Sequence, residues 1–203
     1  MIAIVDYGVG NLFSLRSSFA FVGAEAEATG DPEAIRRADR ILLPGVGAFG
    51  DAADKLRACG LDAVLREQAA AGKPLLGICL GMQLLFETGY EYGVHEGLGL
   101  IPGSVRPISE IIPAGLKIPH IGWNTLCLQN GGGPLFRGVK DGESVYFVHS
   151  YHAAQCEPFV TATAEYGAPL TAAVQRENVF GCQFHPEKSG RVGLAILQAF
   201  CAL

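Results

Sequence analysis

Charge is what this chain has least of. Of its 203 residues 17% are charged and 49% hydrophobic, which excludes a solvated, disordered polymer. No Lys or Arg run exceeds the pair Arg36-Arg37, and the net charge is −5, so no nucleic-acid footprint is present. Long apolar runs are missing too. Lys73 and Gln83 flank the most apolar segment, well short of the roughly 18 residues that a membrane helix needs. The opening MIAIVDYGVG has no charged start and its apolar run ends at Asp6, so no secretion signal is expected. Six cysteines (59, 79, 127, 156, 182 and 201) include no CxxC pair. They read as reduced thiols in a cytoplasmic protein, with neither a disulfide framework nor a zinc site. All but Cys79 fit small buried apolar positions. His149 and His152 lie three apart with no acid or thiol at ligand spacing, so no metal site is expected. His95 and His120 read as loop or strand histidines.

Glycine, by contrast, is plentiful, at 27 residues, and implies tight turns and close backbone approaches. Ile2 to Val5 is a short apolar strand, followed by a helical face of Leu12, Leu15, Phe19 and Val22. Gly30-Asp31-Pro32 breaks the chain. Arg40 to Leu43 and Pro74 to Ile78 are further buried strands. Leu61, Val64 and Leu65 mark a helix stopped by Gly72, and Gly81 to Phe86 reads as the start of another. Apolar strands alternating with helices predict a mostly parallel sheet covered on both faces. The second half is expected to add antiparallel strands around Val145, Val160, Ala172 and Val179. A closing helix would then bury Val192, Ile196, Leu197 and Phe200. Residues 88–118 and 129–134 read as loop-rich. One domain over residues 1–203 is the economical organisation.

Three segments carry chemistry. Gly77-Ile78-Cys79-Leu80-Gly81, between a strand and a helix, has the pattern of a nucleophile elbow with Cys in place of Ser. A turn that sharp leaves no room for side chains two positions to either side, and glycine removes the clash. A helix starting at the thiol would stabilise its thiolate form. Alone, the segment also fits a buried cysteine with packing glycines. In Phe184-His185-Pro186-Glu187-Lys188, Pro186 keeps His185 out of helical geometry, and an extended run would set His185 and Glu187 side by side. A carboxylate there fixes the imidazole tautomer and stabilises the imidazolium. Alone, His185 also fits a surface turn. Pro44-Gly45-Val46-Gly47 follows a buried strand, and no G-K-[ST] comes after it, so it is not a P-loop. Its backbone N–H groups (Gly45, Val46, Gly47), with that of Leu80, could form an oxyanion hole, each donor supplying on the order of 3 kcal/mol.

GICLGMQLLFE, PGVGAFG and FHPEKS resemble the signature segments of the triad-type glutamine amidotransferases. That resemblance implies a flavodoxin-like three-layer α/β sandwich with the nucleophile at the carboxyl end of a central strand. It also implies a Cys79–His185–Glu187 triad that releases ammonia from glutamine through a glutamyl thioester, with no metal or organic cofactor. Gln83 and Glu91 would hold the polar end of the substrate, and Ser150 and Tyr151 would contact it through backbone groups. DYGVGNLFSL, PHIGWN and YFVHSYH extend the likeness to the glutaminase subunits of imidazole glycerol phosphate synthase, from residue 1 to about 200. There the partner is a cyclase with a (β/α)8 barrel, and Asn11, Trp123 and Asn124 would face it. A lone tryptophan also fits a core edge. Other readings of the same residues are the glutaminase of another synthase, such as the pyridoxal phosphate one, a non-catalytic binding subunit, and a stand-alone cysteine hydrolase.

Overall fold

The computed structural model describes residues 1–203. In chain order its elements are β1 (Ile2–Val5), α1 (Leu12–Phe21), β2 (Ala26–Thr29), α2 (Pro32–Arg37), β3 (Arg40–Leu43), α3 (Phe49–Ala58), α4 (Leu61–Ala70), β4 (Leu75–Ile78), α5 (Leu80–Gln83), β5 (Phe86–Gly89), β6 (His95–Glu96) and β7 (Ile101–Pro107). The second half adds β8 (His120–Thr125), β9 (Cys127–Leu128), β10 (Ser144–His149), β11 (Tyr151–Ala154), β12 (Val160–Glu165), β13 (Pro169–Arg176), β14 (Val179–Cys182) and α6 (Gly190–Cys201). Eight strands form one sheet in the order β2-β1-β3-β4-β14-β13-β12-β9. Its first five are parallel and its last three antiparallel additions. This is the flavodoxin-like α/β architecture.

Alternate residues of the central strands serve two cores. Ala3 and Val5 of β1 join a cluster with Ile35, Phe49, Leu56 and Leu65, from α2, α3 and α4. Ile2 and Ile4 face the other way, onto Leu15 and Phe19 of α1 and Ile196, Leu197 and Phe200 of α6. Period-two alternation therefore places helices on both faces of strands that read as uniformly apolar. No helix is long and apolar enough to cross a membrane.

Several local expectations are corrected. β14 is not a purely antiparallel addition: it pairs parallel to β4 and antiparallel to β13, and is buried throughout as a central strand. β10 pairs with β8 in a separate ribbon. Residues 88–118 hold β6 and β7, part of a four-stranded sheet, β11-β7-β5-β6. The helix expected from Gly81 ends after one turn and the chain turns into β5. The carbonyls of Leu84, Leu85 and Phe86 accept instead from the amides of Leu98, Leu100 and Gly99, so tertiary pairing wins over helical propagation. Cys59 and Cys127 are exposed and Cys201 is half-buried, leaving only Cys156 and Cys182 of the five as buried apolar thiols.

The carboxyl ends of β3, β4 and β14 lie side by side, and the closest backbone approach between their loops is at Gly81. A Cβ there would stand 1.9 Å from the carbonyl oxygen of Leu43. Gly81→Ala should therefore cost about 3 kcal/mol and lower the melting temperature by roughly 6–12 °C in a chain of this size. Wild-type melting of that variant in a calorimetric scan would contradict the packing.

Candidate active site

Cys79 sits at the turn between β4 and α5 with φ 55° and ψ −114°, a backbone conformation an L-residue adopts only under constraint. The constraint is close packing on both sides. A Cβ at Gly77 would meet Gly81 and Met82 backbone atoms at 2.6–2.7 Å, and one at Gly45 would meet the Gly81 nitrogen at 2.8 Å. Gly77 and Gly81, on either side of Cys79, thus leave the room that so sharp a turn requires. Behind the thiol stands one helical turn, too short to carry much of the dipole expected from a full helix. The Leu80 N–H, first in that turn, has no acceptor within it.

His185 and Glu187 meet as expected, by a different route. His185 is extended (φ −102°, ψ 98°), as a residue before proline should be, but Glu187 lies in a 3-10 turn over Pro186–Lys188 rather than in a strand. The turn folds the carboxylate back, so that His185 Nδ1–H donates to Glu187 Oε1 at 2.8 Å, with both side chains almost fully buried. That leaves Nε2 for Cys79. Burial pulls the His185 pKa down, but hydrogen bonds to Cys79 and Glu187 and their charges outweigh it, and the imidazole is pushed up to about 9. The other carboxylate oxygen, Glu187 Oε2, is buried with no hydrogen bond in the protein.

A cleft of about 300 Å³ opens on the sulfur, lined by Val46, Gly47, Leu80, Gln83, Glu91, Pro119, residues 148–151 and His185. Of the loop after β3, Val46 and Gly47 reach this cleft, while Gly45 is buried beneath it against the elbow. Tyr7 at the end of β1 ties the loop down by donating to the Pro44 carbonyl at 2.8 Å. Glu91 lines the cleft and accepts from the Phe49 N–H at 2.7 Å, capping α3, which lacks a side-chain cap of its own. Ser150 and Tyr151 line the wall, with both carbonyls engaged internally, by the Ile108 amide at 2.9 Å and by the Gln83 side chain at 3.2 Å. Gln83 also donates to Gln183 Oε1 at 2.9 Å, and Gln183 Nε2 approaches Cys79 Sγ at 3.8 Å. Sequence reasoning missed Gln183. A lone glutamine just past the apolar strand β14, two residues before His185, was the available signal.

The three residues assigned to a partner face separate. Trp123 is 59% exposed on β8, with Ile121 beside it at 58%. Asn124 points to the opposite side, as strand alternation demands, and spends its amide on His120 and the Glu165 carbonyl. Asn11 is exposed and caps α1 by accepting from the Ser14 N–H at 3.2 Å.

The model of the family described as glutamine amidotransferase class-I matches residues 3–202. The chain belongs to this family. Among curated class-I relatives, "Imidazole glycerol phosphate synthase subunit HisH" of Streptococcus gordonii is 51% identical over 200 residues, covering 98% of this chain and 95% of that one. The protein of the same name from Wolinella succinogenes is 47% identical over 205 residues, covering both chains completely. Among solved structures, that of PurLQS from Thermotoga maritima aligns with a TM-score of 0.76 at 21% identity, over 99% of this chain and 97% of that one. At that identity the likeness speaks for the amidotransferase fold alone.

The raised pKa of His185 makes stability depend on pH. A folded-state value of about 9 above an ordinary 6.5 contributes stability that is full below about 6.5 and lost as pH rises through about 9. Denaturant midpoints of the wild type should fall across that window, and His185→Gln should flatten the fall. An unchanged slope in the variant would contradict the buried imidazolium.

Proposed function

We propose that this chain is the glutaminase subunit of an imidazole glycerol phosphate synthase, hydrolysing glutamine at Cys79 and passing ammonia to a cyclase subunit with a (β/α)8 barrel. The carrying observation is the assembly of Cys79, His185 and Glu187 around one cleft on the strained elbow. The near-complete alignment with relatives bearing that synthase's name favours it over other synthases. Neither a binding-only subunit nor a stand-alone hydrolase has an observation in its favour.

Chemically, the Cys79 thiolate attacks the side-chain amide carbon of glutamine. The oxyanion that forms is met by the Leu80 N–H and by backbone of the Val46-Gly47 loop. His185 gives its proton to the amide nitrogen, the C–N bond breaks, and ammonia leaves a γ-glutamyl thioester on Cys79. The imidazole, now neutral, takes a proton from water. The hydroxide equivalent attacks the thioester, and glutamate departs as the thiolate is restored. Glu187 keeps Nδ1 protonated and Nε2 aimed at the reacting atoms throughout. Glu91, with Oε1 still free of the α3 cap, suits the substrate ammonium, and Gln83 and the 150–151 backbone suit its remaining polar groups. The exposed Ile121–Trp123 face of β8 is the surface offered to the cyclase, and Asn11 lies at the exposed start of α1.

Glutamate release from glutamine, with and without a cyclase subunit and its ribotide ligand, tests this reading. Strong stimulation by the liganded cyclase is expected. Cys79→Ala should abolish release in both states without weakening co-purification with the cyclase, and Glu187→Gln should lower kcat by roughly a hundredfold or more. Wild-type turnover by Cys79→Ala would refute the nucleophile, and unstimulated turnover would refute the partner.

A further inference from the structure

One hydrogen-bond chain in the molecule is not used by the chemistry above. His149 lines the cleft, and its Nδ1 lies 2.8 Å from the Tyr151 carbonyl oxygen. A carbonyl only accepts, so Nδ1 carries the proton and the His149 Nε2 of a neutral ring must accept. Its partner at 2.9 Å is His120 Nδ1, which therefore donates. His120 Nε2 is then an acceptor, and Asn124 Nδ2 supplies a proton to it at 3.2 Å. Each ring is locked in one tautomer by its neighbours.

The lock is built into the fold. His120 and His149 are register partners across β8 and β10, exposed by only 3% and 6%. The His120 ring is clamped between Phe147 and Tyr166, with centroids at 4.9 and 4.2 Å. Burial pushes the His149 pKa down to about 3 and lowers that of His120, so both rings stay neutral and the direction of donation is fixed. At its inner end the chain meets the Tyr151 carbonyl, which also accepts from Gln83, itself bonded to Gln183 beside the sulfur. The outer end, Asn124, shares strand β8 with the exposed Ile121 and Trp123.

We propose that His120 and His149 are positioning residues of the glutaminase site, in a chain from Asn124 that holds the 148–151 wall against Cys79 and makes it respond to what docks on β8. This rests on the function proposed above. Neither imidazole touches the reacting atoms. They fix a carbonyl that a substrate-lining loop depends on.

Three variants separate the two ends. His120→Phe keeps a ring between Phe147 and Tyr166 and removes both hydrogen bonds. His120→Asn places an amide N–H where Nδ1–H stands, preserving the bond to His149, and removes the acceptor for Asn124. Asn124→Ala removes the outer donor to His120, together with that side chain's bonds to the Glu165 carbonyl and the Thr125 amide, and leaves the His120–His149 bond in place. The full chain is assayed in complex with the cyclase, reading glutamine KM and the stimulation of glutamate release by the ribotide. His120→Phe should raise KM about tenfold in both states, the cost of an unpaired buried group. His120→Asn and Asn124→Ala should keep KM near wild type but lose stimulation by about tenfold, and the double variant should be no worse than either. Identical behaviour of the Phe and Asn variants, wild-type values in all three, or multiplicative losses in the double variant would overturn the chain. Turnover that survives Cys79→Ala would instead overturn the function itself, and this proposal with it.

Discussion

Everything at the site hangs on the backbone turn at Cys79. Its positive φ is held because the turn is wedged between the loop after β3 and the one-turn helix α5 behind it, with glycines at positions 45, 77 and 81 where any Cβ would strike backbone. Strain of this kind costs on the order of 1–3 kcal/mol and persists only where surrounding packing over-determines it. The wedge has two consequences. It opens the sulfur to the cleft, and it brings Leu80 to the same cleft as Val46 and Gly47. Because β3, β4 and β14 are neighbours and parallel, the loop, Cys79 and the His185–Glu187 pair all emerge at one edge of the sheet.

Two histidines of that cleft are driven in opposite directions. Burial lowers the pKa of both, and what differs is the partner. His185 meets a thiol and a carboxylate, and ends up at about 9; His149 meets a carbonyl and another imidazole, and ends up at about 3. The first is thereby an ion at neutral pH, and in the proposed reaction it is the group that gives a proton to the departing amine. The second is a neutral strut. Separating pKa values within one pocket in this way assigns roles without reference to sequence position.

The chemistry-bearing segments were the most legible part of the sequence, because each needs particular residues at fixed spacing. The glycines at 77 and 81, the Pro186 restriction on His185 and the apolar β1, β3 and β4 runs act through local sterics that are visible without the fold. What was not legible depended on distant partners. Gly81 to Phe86 has helical character, yet the amides of residues 98–100 take its carbonyls and end the helix after one turn. Residues 88–118 looked like loop because β6 is two residues long, the β5–β7 pairing carries a register shift, and the other partner of β7, β11, lies far along the chain. Asn124 was read with Trp123 as facing a partner, and nothing local to it announced that alternation along β8 sets its amide against His120. Gln183 lacked any motif to announce it.

A strained thiol acting as the nucleophile must pass through a covalent intermediate. Acid quenching of the complex during steady turnover of glutamine, followed by peptide mass mapping, tests it directly. One γ-glutamyl group is expected on the peptide carrying Cys79, and none on the peptides carrying Cys59, Cys127, Cys156, Cys182 or Cys201. A γ-glutamyl group on another cysteine, or full turnover with no adduct under conditions that trap thioesters, would contradict it.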